Sequence, residues 1–217
     1  IFTIDADYNN PNRVVISHYG AIYFSDNGGT SFKNIHTAAT SAGNVVAGVF
    51  FDNANIYIGT NDGVLVSVNS GSSYTTATLT GLPGNERIWS FAGAKVGGVT
   101  RFFCLTGDAG DIYPGLVGSD YSGFMKGVYS VDYGSGNWIS KMTGITVGTD
   151  YPMFVGMAAN DINTVYLAGS NSSSEPIILK TTNAGGNWSN TFMTATNKNI
   201  NTGWSGAGGD RGWSYGE

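Results

Sequence analysis

Charged side chains are scarce in this sequence. Asp, Glu, Lys and Arg together make up 12% of the 217 residues, and 15 acidic against 10 basic residues give a net charge of −5. There is no run of Lys and Arg, which excludes the basic surface that nucleic-acid-binding proteins use to neutralise phosphates. No stretch of 18 apolar residues occurs, so no segment has the length of a membrane-spanning helix.

Cysteine and histidine are nearly absent. The single cysteine, Cys104, lies in the apolar segment RFFCL, so we expect a buried thiol that forms no internal disulfide. His18 and His36 have no partner at the spacing of a metal site or a catalytic triad, and we expect both on turns or on the surface. The sequence therefore predicts neither a metal nor a cofactor.

Glycine and aromatic residues are abundant instead. The chain has 33 glycines, and aromatic residues make up 13% of it. Short apolar runs rich in Val and Ile alternate with Gly-rich turns, which is typical of an all-β sandwich, barrel or propeller. A chain of this length is long enough to form one domain with a sizeable core.

One turn pattern occurs four times. SDNGGTSF at 25–32 is repeated as SVNSGSSY at 67–74 and TTNAGGNW at 181–188, and SVDYGSGNW at 130–138 carries one extra residue. We call these segments the box turns. In each, the Asn or Asp can accept hydrogen bonds from backbone N–H groups two residues further on, the glycine can adopt a positive φ, and the closing aromatic can fold back onto neighbouring strands. These structural positions are Ser25, Asn27, Gly29, Phe32, Ser67, Asn69, Gly71, Tyr74, Ser130, Asp132, Gly134, Trp138, Thr181, Asn183, Gly185 and Trp188.

Each box turn belongs to a longer repeated unit. Three apolar runs precede it and a short polar-apolar stretch follows, which predicts four strands per unit. The box turns start at 25, 67, 130 and 181, so they are 42, 63 and 51 residues apart. Four-stranded repeats of this length predict the blades of a β-propeller. We place the blades at about 1–38, 39–78, 84–143 and 150–192, within one domain of residues 1–217.

The pattern S-x-[D/N]-x-G-x-[S/T]-aromatic resembles the Asp-box, or BNR repeat, with Asn187 replacing the hydroxyl in one copy. This repeat occurs in sialidases, xyloglucanases, sortilin-type receptors and photosystem II assembly factors. The resemblance implies a β-propeller that is secreted or at the cell surface. It leaves function open, because the same turn serves enzymes, receptors and assembly factors.

Loops on the propeller face opposite the box turns are the candidate ligand site. In blade 3 the segment 107–125 is a long insertion, blade 4 carries SNSSSEP at 170–176, and residues 193–217 form a loop leading towards a further blade. Aromatic rings, carboxylates and an arginine suit a sugar, whose ring stacks and whose hydroxyls form hydrogen bonds. The candidate ligand-binding residues are Asp108, Asp111, Tyr113, Asp120, Tyr121, Trp204, Asp210, Arg211, Trp213 and Tyr215. Alternatively, the aromatics pack the loops onto the blades, or GDAGD holds calcium, although it lacks the EF-hand spacing.

The sequence leaves two functions open. One is a polysaccharide-acting glycoside hydrolase of xyloglucanase-like architecture, which would use a pair of Asp or Glu side chains that the sequence does not identify. The other is a non-catalytic module that binds a protein partner, as in sortilin-type receptors or assembly factors. A sialidase is disfavoured, because Arg13 and Arg101 fall on the opposite face at first-to-second-strand turns.

We also expect the ring to contain more than these four blades, about seven in total, supplied by the same polypeptide or by another chain. Ile1 lies directly in an innermost strand, and no fifth unit follows residue 192. Propellers have four to eight blades, so an open arc of four would leave two sheet faces uncovered.

Overall fold

A computed structural model describes residues 3–41, 43–109, 125–172 and 176–192. These residues form four antiparallel four-stranded sheets, each with its strands in chain order, as predicted for propeller blades. Blade 1 contains β1 (Thr3–Asp7), β2 (Asn10–His18), β3 (Ala21–Ser25) and β4 (Lys33–Thr37). Blade 2 contains β5 (Val46–Asp52), β6 (Asn55–Thr60), β7 (Gly63–Ser67) and β8 (Thr75–Thr76).

Blade 3 contains β9 (Glu86–Val96), β10 (Val99–Asp108), β11 (Gly127–Asp132) and β12 (Ile139–Ser140). Blade 4 contains β13 (Asp150–Ala158), β14 (Asp161–Asn171), β15 (Pro176–Thr181) and β16 (Ser189–Asn190). No helix among the described residues is long and apolar enough to cross a membrane.

The core lies between the blades, because successive side chains of a strand point to opposite faces of its sheet. In β10, Phe102 and Cys104 pack towards blade 2, whereas Phe103 and Leu105 pack towards blade 4. Both faces of this strand are therefore buried, which explains its continuous apolar sequence. Three apolar clusters result, one between each pair of consecutive blades. Cys104 is buried, as expected.

Three box turns share one hydrogen-bond pattern. In blade 1 the Ser25 hydroxyl accepts a bond from Gly29 N at 2.9 Å, and Asn27 Oδ1 accepts one from Ser31 N at 2.9 Å. The asparagine thus accepts a bond from the N–H group four residues further on, not two as we predicted from the sequence. The nearer N–H groups are bonded to the serine hydroxyl instead. Blades 2 and 4 repeat this pattern, with Gly71 N bonded to Ser67 Oγ and Gly185 N bonded to Thr181 Oγ1.

The third box turn is built differently. Strand β11 continues to Asp132, which lies opposite Arg101 in β10. The Asp132 carboxylate accepts two bonds from the guanidinium, at 2.6 and 2.9 Å. Arg101 also donates to Asn163 Oδ1 of blade 4 at 2.8 Å, so it links two blades at the box-turn face.

The closing aromatics of blades 2, 3 and 4 pack against the preceding blade. Tyr74 contacts Phe24 of blade 1, with ring centroids 5.9 Å apart. Trp138 joins the cluster that contains Tyr57 of blade 2. Phe32 in the first blade is 39% exposed. The box turn is therefore an inter-blade contact as well as a hairpin.

Three innermost strands contain a bulge at corresponding places. The register of β5 shifts between Val46 and Gly48, that of β13 shifts between Pro152 and Phe154, and β9 has an extra residue, Trp89, opposite the Leu105–Thr106 step. A bulge changes which side chains of a strand face which side of the sheet. In β9 this change determines the composition of the candidate site.

Candidate functional site

A cleft of about 510 Å³ opens between blades 2 and 3 on the face opposite the box turns. The loop after β4, the β6–β7 turn and the segment leading into β9 form its walls. Turns of this kind meet on one face of a propeller, where the sequence had placed the ligand site. The lining residues are Ala39, Thr40, Thr60, Asn61, Asp62, Gly63, Leu82, Pro83, Gly84, Glu86, Arg87, Ile88 and Ala109.

Glu86 stands at the first position of β9, on the blade 3 side of the cleft. Its Oε2 atom accepts hydrogen bonds from the Thr106 hydroxyl and from the Tyr129 hydroxyl, the latter at 3.1 Å. Thr106 lies in β10 and Tyr129 in β11, the next two strands of the same sheet. The carboxylate is thus fixed to the blade at one of its two oxygens.

The Trp89 bulge is what turns Glu86 towards the cleft. Phe91 and Ile88 both belong to the cluster between blades 2 and 3, although they are an odd number of residues apart. Because Trp89 is the extra residue, alternation from Ile88 places Glu86 on the blade 2 side. In a regular strand, Arg87 would occupy that side instead. The bulge thus directs a carboxylate towards blade 2.

Gly127 makes room for the bond between Tyr129 and Glu86. A Cβ atom at Gly127 would lie 2.4 Å from Cε2 of the Tyr129 ring. Without that atom the ring can lie along the strand over Gly127, and the hydroxyl reaches Glu86. Burial and then the nearby Glu86 charge raise the pKa of Tyr129 to about 12, so the hydroxyl keeps its proton at neutral pH.

Asp62 lines the blade 2 side of the same cleft. Its Oδ2 atom accepts a bond from Ala39 N at 2.9 Å and lies 2.9 Å from His36 Nε2. His36 was expected on a turn or on the surface, but it lies in β4 and has this partner across the blade boundary. The sequence could not show this pairing, because 26 residues separate the two side chains. His18 lies next to the β2–β3 turn, where its Nδ1 accepts a bond from Gly20 N.

The remaining charges near the cleft are paired with protein groups. The Arg87 guanidinium donates to the backbone carbonyls of Gly84 and Glu86, at 3.0 and 2.7 Å. Asp108 lies opposite Glu86 in the β9–β10 register, and its carboxylate is 3.8 Å from Lys126 Nζ. The cleft therefore combines the carboxylates of Glu86 and Asp62 with the exposed Arg87 guanidinium and with the apolar side chains of Leu82, Pro83 and Ile88.

The structure places one of the predicted ligand-binding residues. Asp108 lies at the end of β10, next to the cleft residue Ala109. The other predicted residues lie outside the described part of the chain: Asp111, Tyr113, Asp120, Tyr121, Trp204, Asp210, Arg211, Trp213 and Tyr215. Sequence reasoning missed Glu86, Asp62 and His36. The one available signal was the position of Glu86 directly before an innermost strand.

Among the described ranges, no group of three His, Cys, Asp or Glu side chains is arranged to hold a metal ion. The GDAGD segment, for which calcium was an alternative, lies partly outside these ranges. Apart from Arg87, two arginines lie in the described part of the chain, Arg13 in β2 and Arg101 in β10, both near box turns. Arg13 pairs with Asp7 and Arg101 pairs with Asp132, so neither faces the cleft.

No family model matches the sequence, and no curated protein matches it. Solved structures do match. A GH74 enzyme of Niastella koreensis superposes with a TM-score of 0.61 at 16% identity, over 86% of this chain and 28% of the enzyme. The GH74 xyloglucanase from Xanthomonas campestris gives 0.62 at 15% identity, over 88% and 29%. An ancestral GH74 enzyme gives 0.59 at 24% identity, over 86% and 23%.

These similarities concern the fold. The chain spans less than a third of the length of each of the three enzymes. Identities this low leave the ligand and the chemistry open. Together with the four antiparallel sheets, they show that the chain folds as β-propeller blades.

Proposed function

We propose that this propeller is a glycan-binding protein and that the cleft between blades 2 and 3 is its binding site. The observation that carries the proposal is the pair of carboxylates lining the cleft, Glu86 and Asp62, each fixed by hydrogen bonds to one oxygen. Sugars present many hydroxyl donors, and hydrogen bonds to a charged acceptor are stronger than those between neutral groups.

The shape and composition of the cleft fit this chemistry. Ligand sites combine apolar walls with a few well-placed polar groups, within volumes of roughly 300–1,000 Å³. Leu82, Pro83 and Ile88 supply apolar contact for the faces of a sugar ring.

The similarity to a GH74 xyloglucanase supports a polysaccharide as the ligand. We further propose that the box turns are Asp-box repeats, that the protein is extracellular or at the cell surface, and that it acts as a glycoside hydrolase. Glu86 and Asp108 are directly opposed on neighbouring strands, where Cβ atoms are typically about 4.5–5.5 Å apart. Such a pair provides the two carboxylates that glycoside hydrolysis needs.

Binding is tested with xyloglucan oligosaccharides, mannohexaose, chitohexaose and oligogalacturonate, measured by titration calorimetry. We expect a neutral oligosaccharide to bind, and Glu86→Gln and Asp62→Asn each to weaken its binding. Asp26→Asn, an exposed carboxylate of the first box turn, is the control and should bind like wild type. A reducing-end assay on the same samples tests hydrolysis.

Absence of binding to every glycan would overturn the proposal and favour the protein-binding alternative. Equal loss of affinity in all three variants would also contradict it, because the effect would then not arise in the cleft. Melting temperatures of the variants separate a loss of binding from a loss of folding.

We also propose that further blades, of the same polypeptide or of another chain, complete the ring. Ile4 in blade 1 and Phe154 in blade 4 are 71% and 49% exposed, and apolar side chains at both ends of a row of blades favour association. Native mass spectrometry should show self-association for residues 1–217, and a strictly monomeric species would contradict this.

A further inference from the structure

We propose that Tyr129 is a positioning residue: it fixes the Glu86 carboxylate through Oε2, so that Oε1 becomes the atom that accepts a hydrogen bond from a ligand hydroxyl. The proposal rests on the proposed function of the cleft and assigns separate tasks to the two oxygens of one side chain.

The two carboxylate oxygens of Glu86 differ in their hydrogen-bond partners. The hydroxyls of Thr106 and Tyr129 both donate to Oε2. Among the described residues nothing donates to Oε1, and this atom is not one of the buried polar atoms without a partner. Oε1 therefore keeps its lone pairs accessible, while Oε2 holds the group in place. A side chain held this way loses little further rotational freedom when a ligand binds.

Tyr129 suits this task better than a flexible surface donor would. Its side chain is only 8% exposed, and Gly127 leaves the space that its ring occupies. Its raised pKa keeps it protonated, so it donates to the carboxylate across the neutral range. Three features together fix the direction of the Glu86 side chain. They are the bulge at Trp89, the absent side chain of Gly127 and the phenol of Tyr129.

The opposite wall of the cleft repeats the arrangement. Among the residues with described positions, Asp62 too is held by one oxygen, since His36 and Ala39 N both contact Oδ2. Two acceptor oxygens, Oε1 and Oδ1, thus remain at two walls of one cleft. A ring with hydroxyl groups on opposite edges can donate to both. The two acceptors therefore suit a polyhydroxylated ring.

A double-mutant cycle with a xyloglucan heptasaccharide tests the positioning role. Glu86→Gln should weaken binding about tenfold or more, and Tyr129→Phe should weaken it several-fold. In the Glu86→Gln background, Tyr129→Phe should have little further effect, because the phenol acts through the carboxylate. Gly127→Ala keeps the phenol but displaces its ring, so it should reproduce the loss. Tyr133→Phe, in the third box turn, is the control.

Additive losses in the double mutant would overturn the proposal, since Tyr129 would then act independently of Glu86. An unchanged affinity in Tyr129→Phe would overturn it as well, provided that wild type binds the heptasaccharide. If wild type does not bind it, the proposed function fails for this glycan, and the positioning role is then decided without a ligand.

The ligand-free measurement is the titration of Tyr129 by NMR with 13Cζ-labelled tyrosine. Burial and, after it, the Glu86 charge and hydrogen bond raise the pKa of Tyr129 to about 12, so Glu86→Gln should lower that pKa by removing the second of these causes. The signal is assigned with Tyr129→Phe. A titration that is the same in wild type and Glu86→Gln would show that the phenol does not contact the carboxylate, and the positioning role would be rejected even if glycans bind.

Discussion

Trp188, which closes the box turn of blade 4, packs edge-on against Phe103 of blade 3, with ring centroids 6.2 Å apart and ring planes at 89°. Its indole N–H donates to the Lys141 carbonyl of blade 3 at 2.8 Å. The indole thus contributes both apolar contact and a hydrogen bond to the neighbouring blade. The closing aromatic of a box turn is therefore a residue of the blade–blade interface.

A closing aromatic that packs against a neighbouring blade should therefore contribute more to the free energy of unfolding than one that does not. Trp188→Ala should lower the free energy of unfolding by about 3–5 kcal/mol, because it removes a large buried side chain. Phe32→Ala changes the corresponding residue of blade 1, which is 39% exposed, and should cost about 1 kcal/mol or less. Urea titrations followed by circular dichroism measure both. Equal losses would contradict the interface role.

Gly29 and Gly71 form a matched pair for a second prediction. Their φ angles are +83° and +84°, so alanine is similarly strained at both positions. At Gly29 a Cβ would lie 3.7 Å from its nearest neighbour, whereas at Gly71 it would lie 2.2 Å from Phe24 Cε1. Gly29→Ala should therefore cost about 1 kcal/mol, and Gly71→Ala about 1–3 kcal/mol more. Thermal melts of the two variants give the comparison, and indistinguishable melting temperatures would contradict it.

The sequence predicted the fold because the fold is repeated. Four box turns and the apolar runs before them indicate four-stranded blades without any knowledge of distant contacts. What the turn pattern could not show is the partner of each aromatic. Tyr74 and Phe24 meet across a blade boundary, although 50 residues separate them. Local patterns identify hairpins, but contacts between hairpins depend on how the sheets stack.

The candidate site was predictable only in its general location. Loop positions in the repeat indicated the face on which the cleft lies, but Glu86 faces blade 2 because of a bulge at Trp89. A period-2 reading of β9 would direct Arg87, and not Glu86, towards blade 2. Asp62 and His36 likewise meet only because blades 1 and 2 are adjacent. A one-residue irregularity and an inter-blade pair leave no periodic signal in the sequence.

A third prediction concerns the thiol of Cys104. The side chain is fully buried, and burial raises its pKa well above the usual value. Thiol reagents react with the thiolate, so native protein should be unreactive towards 5,5′-dithiobis(2-nitrobenzoic acid) at neutral pH. Reaction should follow unfolding in urea. Fast labelling of protein that keeps its native circular dichroism would show that blade 3 opens locally.

The last prediction is a pH dependence of stability that arises from Asp132. Hydrogen bonds from Arg101, the largest influence, lower the pKa of Asp132 below 3.8, and burial opposes them only in part. The folded protein therefore binds this proton less readily than the unfolded chain. The stabilisation is present above the unfolded pKa of about 3.8 and is lost as the pH falls through the folded pKa.

Arg101→Gln should accordingly reduce the loss of stability between about pH 6 and about pH 3. The difference should amount to a few tenths of a kcal/mol, roughly, because the Asp132 side chain is 45% exposed and solvent screens the pair. Arg87→Gln, whose guanidinium contacts backbone carbonyls instead, is the matched control and should keep the wild-type pH dependence. Urea unfolding at both pH values measures the effect. If Arg101→Gln loses as much stability on acidification as wild type, the ion pair does not link folding to the protonation of Asp132.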